Sequence, residues 1–273
     1  MSDSKYTKLN SLLGSLGDTT LISSRWLRAN GYPSNLLARY IASSWLQSPA
    51  RGVYMRKGGT PTWDGLMNCL QTRERLPAHV GGRFALAIRG HEHYLRLGEP
   101  TTLTLYGAVK LPAWVYNLPL REPVQNCGTG LFDWADLSFN LDTSDAVLAA
   151  HGLERLAGDS RAAGPVCSTP ERAILELCDA AADSPMVHEV NELLQGLATL
   201  RPQFVSVLLH HCTSIKAKRL FMALAHRTEH AWLAHLNLKS VYLGRGNRSL
   251  FSGGKLDTKY QITLPADLNA HLG

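Results

Sequence analysis

Cysteine pairs, membrane-length apolar runs and catalytic signatures are all missing from this 273-residue chain. Its five cysteines, Cys69, Cys127, Cys167, Cys178 and Cys212, are odd in number and scattered singly, which fits reduced thiols rather than a disulfide framework. No C-x-x-C pair occurs, which argues against a structural zinc site. The opening residues MSDSKYTKLN carry no apolar h-region, and no uninterrupted apolar stretch approaches the ~20 residues of a membrane span. A cytoplasmic location with no membrane partner is therefore expected. Internal repeats and low-complexity tracts are absent too.

The motifs that come nearest to chemistry each lack a part. His226-Arg227-Thr228-Glu229-His230 has the i, i+4 histidines of a zinc helix, but Arg227 stands where a zinc protease needs Glu as general base. His91-Glu92-His93 and His210-His211-Cys212 offer ligands without a third marked by spacing. Asp257-Thr258-Lys259 resembles the end of a metal-dependent nuclease motif, yet residues 230–256 contain no acid to share the metal. Gly244-Arg245-Gly246 lacks the strand-then-helix setting of a phosphate cradle, and G-x-S-x-G does not occur. No catalytic residues, metal or cofactor are expected.

Charge, by contrast, is unevenly placed. The chain carries a formal +6, and residues 1–60, with eight Lys or Arg against Asp3 and Asp18, account for all of it. Residues 61–213 hold 11 basic and 17 acidic side chains, whereas residues 214–260 hold nine basic against Glu229 and Asp257. Two basic regions thus flank an acidic middle. A basic module is suited to polyanions, because each phosphate it neutralises releases counterions.

Within the first basic region, Leu21 to Gly58 reads as helix, turn, helix and two-stranded ribbon, the order of a winged helix-turn-helix. Ser23 can cap a short helix carrying Trp26 and Leu27, Asn30-Gly31 supplies a left-handed stop, and Pro33-Ser34 opens the next helix. That second helix, from about Pro33 to Ser44, has Leu36, Leu37, Tyr40 and Ile41 at core spacing and leaves Ser34, Asn35, Ala38, Arg39 and Ser43 outside. Small, amide and guanidinium side chains suit a helix entering the major groove, where Arg and Asn pair bidentately with guanine and adenine. Asn35 and Arg39 are the expected base contacts, with Ser34 beside them. Arg25 and Arg28 on the preceding helix, and Arg51, Arg56 and Lys57 on a wing whose tip is Arg51, are expected at phosphates. An earlier helix, Tyr6–Leu16, places Leu9, Leu12, Leu13 and Leu16 to pack across the pair.

After the Gly58-Gly59-Thr60-Pro61 break, a linking helix is expected over Trp63–Leu70, then a helix at Gly82–Arg89 and strands at Tyr94–Leu97 and Leu103–Tyr106. Further strands are read near Val115, at Gly130–Phe132 and at Leu137–Asn140. Ser168-Thr169-Pro170-Glu171 starts a helix, either as a capping box from Ser168 or with Pro170 at the first helical position after a Thr169 cap. Helices at Met186–Ala198, Pro202–His211 and Ser214–Arg227 follow. Strands are expected at Ser240–Leu243, Leu250–Phe251 and Tyr260–Leu264. The helix from Ser214 presents Lys216, Arg219, His226 and Arg227 along one face with Lys218 beside it, and Arg245, Arg248 and Lys255 follow. The seven Lys and Arg of this set form a second candidate contact surface. The fold class is α+β: a winged helix-turn-helix with its linking helix in residues 1–76, and a larger mixed α/β domain in residues 77–273.

With these residues assembled, the chain resembles the AbiEi antitoxins of type IV toxin-antitoxin (abortive infection) systems. The resemblance lies in ARGVYMRKG, LPAHVGGRFALAIRGHEHYL, LYGAVKLPAWV, STPERAILEL and TSIKAKRLFMALAHRTEHAWL followed by GGKLDTKYQITLP, five blocks in order over most of the chain. It implies a winged helix that binds operator repeats in its own promoter and represses the operon. It further implies a C-terminal antitoxin domain that counters a nucleotidyltransferase-like toxin without a stable complex. The basic set after Ser214 is the surface nominated for that antitoxin role. Two alternatives stay open: a metal-dependent nuclease delivered to DNA by the winged helix, and a transcription regulator with no toxin partner.

Overall fold

The computed structural model describes residues 3–91, 101–107, 110–128, 130–134, 143–157 and 164–268. The N-terminal module runs α1 (Asp3–Gly14), β1 (Ile22–Ser23), α2 (Ser24–Ala29), α3 (Ser34–Ala42), β2 (Leu46–Ala50) and β3 (Val53–Arg56). Its sheet is antiparallel with order β1-β3-β2, and Ile22 sits opposite Tyr54. Leu9, Leu12, Leu16, Ile22, Leu27, Tyr32, Leu37, Tyr40 and Leu46 make one apolar cluster. Burying each such leucine contributes about 1.5–3 kcal/mol. That packing stabilises helices of six and nine residues, too short to persist alone.

The linking helix α4 (Trp63–Asn68) starts at Thr62, whose Oγ1 accepts from the Gly65 amide at 3.3 Å, and continues into a π-helical turn over Cys69–Arg73. A side chain at Gly65 would place Cβ 2.2 Å from the Thr19 carbonyl oxygen, so this close approach requires glycine. Leu66, Met67, Cys69 and Leu70, together with Leu21, Val53 and Met55, join the large apolar core that the later residues build.

That core surrounds a five-stranded mixed sheet of order β6-β5-β4-β8-β7. The elements are β4 (His79–Val80), α5 (Gly82–Ala87), β5 (Leu103–Tyr106), β6 (Val124–Asn126), α6 (Asp145–Ala150), β7 (Leu153–Arg155), β8 (Val166–Ser168), α7 (Pro170–Ala180), α8 (Ser184–Gln195), α9 (Pro202–His211) and α10 (Ile215–Thr228). Strands β4/β8 and β5/β6 are parallel, whereas β4/β5 and β7/β8 are antiparallel. A hairpin of β9 (Lys255–Asp257) and β10 (Ile262–Leu264) closes the chain. Helix α7 is central, packed against α5, α8, α9 and α10. The mixed α/β architecture with a winged-helix N-terminus is the expected one. Among the described residues, no helix is long and apolar enough to cross a membrane.

Several local expectations need correction. Val115 lies in a 3-10 turn, Ala113–Asn117, rather than a strand; its amide is taken by the Pro112 carbonyl at 3.0 Å, which coils the chain. Of Gly130–Phe132, only Phe132 pairs, in a single bridge to Cys212. Ser240–Leu243 and Leu250–Phe251 are not strands: Gly244, Gly246 and Gly253 adopt positive φ, and a buried arginine takes the carbonyls of Leu243 and Gly246. Ile41, expected in the core, is 39% exposed, because Leu37 and Tyr40 already fill the contact of α3 with its sheet. At α7, Thr169 is the cap residue and Pro170 the first helical position, the second of the two readings. Tyr94–Leu97 and Leu137–Asn140 lie outside the described residues.

Candidate nucleic-acid interface

The geometry of the N-terminal module follows from its turn residues. Ser23 Oγ accepts from the Trp26 amide at 3.1 Å and starts α2. Asn30 Nδ2 donates to the Trp26 carbonyl at 2.8 Å and Gly31 takes φ +80°, so α2 stops after two turns. Tyr32 then turns inward, donating from its hydroxyl to the Lys8 carbonyl at 3.2 Å. Pro33 precedes the first residue of α3 and leaves Ser34, Asn35, Ala38 and Arg39 exposed. At 100° per residue these four share one side of the helix.

The wing's strands leave only Arg51-Gly52 at its tip, with Gly52 at φ +92°. Ser48 Oγ lies 2.9 Å from the Val53 carbonyl oxygen and helps hold the strands together across a register shift. Arg51, Arg56 and Lys57 are exposed, and with Arg39 they have no ion-pair partner among the described residues. Arg28 is exposed and donates from Nε to the Ser24 carbonyl at 3.2 Å. Arg25 is 81% exposed, with Nη1 3.7 Å from Glu74 Oε2. Exposed cations on α3 and the wing, with small polar side chains on the outer side of α3, can take phosphates and base edges.

The second basic set fares differently. Arg245, Arg248 and Lys255 are exposed. Lys216 and Arg227 are half-buried, with Lys216 Nζ donating to the Ala181 carbonyl at 3.1 Å. Lys218 and Arg219 are only 4% and 2% exposed, so they cannot belong to a contact surface. Arg219 instead donates from Nε to the Leu243 carbonyl at 2.6 Å and from Nη1 to the carbonyls of Gly246 and Gln261. It staples the closing loops to α10, a role that charge counting along a helix does not reveal.

The zinc-like histidines also separate. Helix α10 ends at Thr228, Glu229 turns left-handed, and His230 Nε2 meets the Leu194 carbonyl while His226 contacts the Tyr260 hydroxyl. Among the described residues, no group of three or more His, Cys, Asp or Glu is arranged to hold a metal.

Sequence reasoning missed a buried ionic network at the centre of the larger domain. Glu176 on α7 accepts from Arg172 Nε at 2.9 Å and the Gly82 amide at 2.8 Å. Ser168 Oγ lies within 3.0 Å of both its oxygens, and His79 Nε2 lies 3.3 Å from one. Burial pushes Glu176 towards protonation, but the His79 hydrogen bond, the Arg172 charge and the Gly82 amide outweigh it and hold the carboxyl below its ordinary range. Burial and the Arg172 charge lower His79 to about 4 against the pull of Glu176, so at neutral pH it is an uncharged ring, and only the tautomer protonated on Nε2 can donate to the Glu176 carboxylate. A Cβ at Gly81 would fall 2.2 Å from Glu176 Oε2, which fixes that position as glycine. The one visible signal was the i, i+4 spacing of Arg172 and Glu176. Two of the sequence blocks, LPAHVGGR and STPERAILEL, thus meet at this network.

A family model described as "Transcriptional regulator, AbiEi antitoxin, Type IV TA system" matches residues 100–265. A second, described as "Transcriptional regulator, AbiEi antitoxin N-terminal domain", matches residues 5–97. Among solved structures, the RV2827C protein from Mycobacterium tuberculosis is similar at 15% identity and a TM-score of 0.53, over 96% of this chain and 92% of that one. At that identity the likeness concerns the fold alone. No curated protein matches the chain.

Proposed function

The chain belongs to the AbiEi family of antitoxin transcriptional regulators, and from that premise we propose that it represses its own operon through the winged helix and protects its host through the larger domain. In this reading residues 1–76 bind operator repeats as double-stranded DNA, and residues 77–273 oppose a nucleotidyltransferase-like toxin in the cytoplasm without a stable complex. The observation that carries the DNA half is the exposed side of α3, with Ser34, Asn35 and Arg39, together with exposed wing cations that have no ion-pair partner among the described residues. Arg25, Arg28, Arg51, Arg56 and Lys57 serve at phosphates. Arg245, Arg248 and Lys255 are what remains outward-facing of the antitoxin surface, with Lys216 and Arg227 at its edge.

Because a phosphate contact carries no sequence information, Lys57→Ala is expected to weaken operator and random DNA equally and to flatten the salt dependence by about one counterion. Titrations at several salt concentrations measure this; loss of operator binding alone would place Lys57 at a base instead. A separation of functions is also expected. Full-length chain carrying Arg39→Ala, Arg51→Ala and Lys57→Ala should lose repression of a promoter reporter yet still protect cells expressing the toxin. Loss of protection in a well-folded triple variant would contradict the division of labour. Binding without turnover is predicted throughout, and divalent-metal-dependent DNA cleavage by purified protein would favour the nuclease alternative.

A further inference from the structure

A cleft of about 490 Å³ lies between the start of α2 and the loop before the 3-10 turn at Ala113. Its volume falls in the range of small-ligand sites, about 300–1,000 Å³. One wall is apolar, formed by Leu76, Leu111, Pro112 and the half-buried indole of Trp114; Arg25, Lys110 and Glu74 supply the charges. The Glu74 side chain is only 5% exposed and already accepts from Ser23 Oγ and faces Arg25 at 3.7 Å. Lys110 is exposed and has no ion-pair partner among the described residues. The cleft therefore keeps one net positive charge beside a flat aromatic surface. Such a lining selects a ligand with a planar, weakly polar body and an anionic end.

We propose that this cleft is an effector site for a nucleoside monophosphate, its base against Trp114 and its phosphate between Lys110 and Arg25. The site reports directly to the DNA-reading module. Arg25 sits on α2, and the Ser24 amide donates to the Gly52 carbonyl at the wing tip at 2.8 Å. A phosphate held in the cleft and a phosphate of the operator compete for the same guanidinium, so nucleotide and DNA weaken each other by the same factor. The binding half stands on the cleft alone; the competition half rests on the proposed contact between Arg25 and DNA.

Calorimetric titration of the full-length chain with adenosine 5′-monophosphate tests the first half, with adenosine and inorganic phosphate as separate arms. One saturable site for the nucleotide is expected, at least about tenfold tighter than for either fragment. Lys110→Ala and Trp114→Ala should each weaken it by about tenfold or more while leaving nucleotide-free operator affinity unchanged. For the second half, nucleotide at a concentration that lowers operator affinity of the wild-type chain by about tenfold should lower that of the Trp114→Ala variant by clearly less, in proportion to its weaker nucleotide binding. No binding at millimolar nucleotide, or binding indifferent to both substitutions, overturns the site. Operator affinity untouched by bound nucleotide overturns the competition while leaving DNA recognition intact. Failure of the nucleotide-free chain to bind operator counts against the DNA reading, and the titration still judges the cleft.

Discussion

Glu176→Ala is expected to destabilise the protein by about 3–5 kcal/mol, the cost of leaving a buried charge without its partner. Arg172 would keep its guanidinium stacked 4.6 Å from the Phe132 ring and its Nη1 on the His151 carbonyl, but Nε would lose its acceptor. The Gly82 amide and Ser168 hydroxyl would lose theirs as well. Chemical denaturation of the wild type and the variant measures the loss. A double replacement, Arg172→Met with Glu176→Leu, should cost clearly less, because no orphaned charge remains. Equal cost for the single and double changes would mean that packing, not charge, dominates at this point of α7.

The same network sets a pH dependence. His79 has a folded pKa of about 4, below its ordinary 6.5, so between those values the unfolded chain binds more protons than the folded one. Stability is full above about pH 6.5 and falls as the pH drops towards 4, by on the order of 3 kcal/mol from this group. Glu176, whose folded pKa is also lowered, acts in the same sense at lower pH: its contribution is present above the ordinary carboxylate value and lost below it. An unfolding free energy that stays flat from pH 7 to pH 4 would contradict a neutral, buried His79.

Arg39→Ala is expected to reduce discrimination between operator and random DNA by about 1–3 kcal/mol, roughly fivefold to 150-fold. The physical reason is its place on α3. Arg39 is exposed beside Ser34, Asn35 and Ala38, none of which is bulky enough to keep the helix out of a major groove. It also has no carboxylate to compete for it among the described residues. Competition binding with labelled operator and random duplex separates the two terms. An unchanged specificity ratio removes Arg39 from the reading set, whereas a uniform loss on both duplexes reassigns it to a phosphate.

The N-terminal module was legible because its boundaries are local. Ser23, Asn30-Gly31, Pro33 and the Arg51-Gly52 tip each impose a backbone conformation whatever the rest of the chain does. The helices from Pro170 onward were legible through Pro170 and Pro202 at two starts, Ser214 before a third, and apolar stripes along their lengths, although the second begins at Ser184, two residues before the expected Met186. What stayed hidden depends on pairing across long separations. Strand β4 has two residues and finds its partners at Tyr106 and Cys167, so no periodicity marks it. Arg219 looked like one cation in a solvated row, and only the loops at Leu243 and Gln261 reveal why it is buried. Glu74 drew no notice in sequence, yet it joins Ser23 and Arg25 to the rest of the molecule.

The most direct measurement is the affinity of the purified full-length chain for the DNA upstream of its own reading frame against random duplex of equal length at physiological salt. The account predicts saturable, sequence-specific protection of discrete repeats, with affinity at least about 10³-fold above that for random DNA. Equal affinity for both duplexes, with no protected segment, would contradict it.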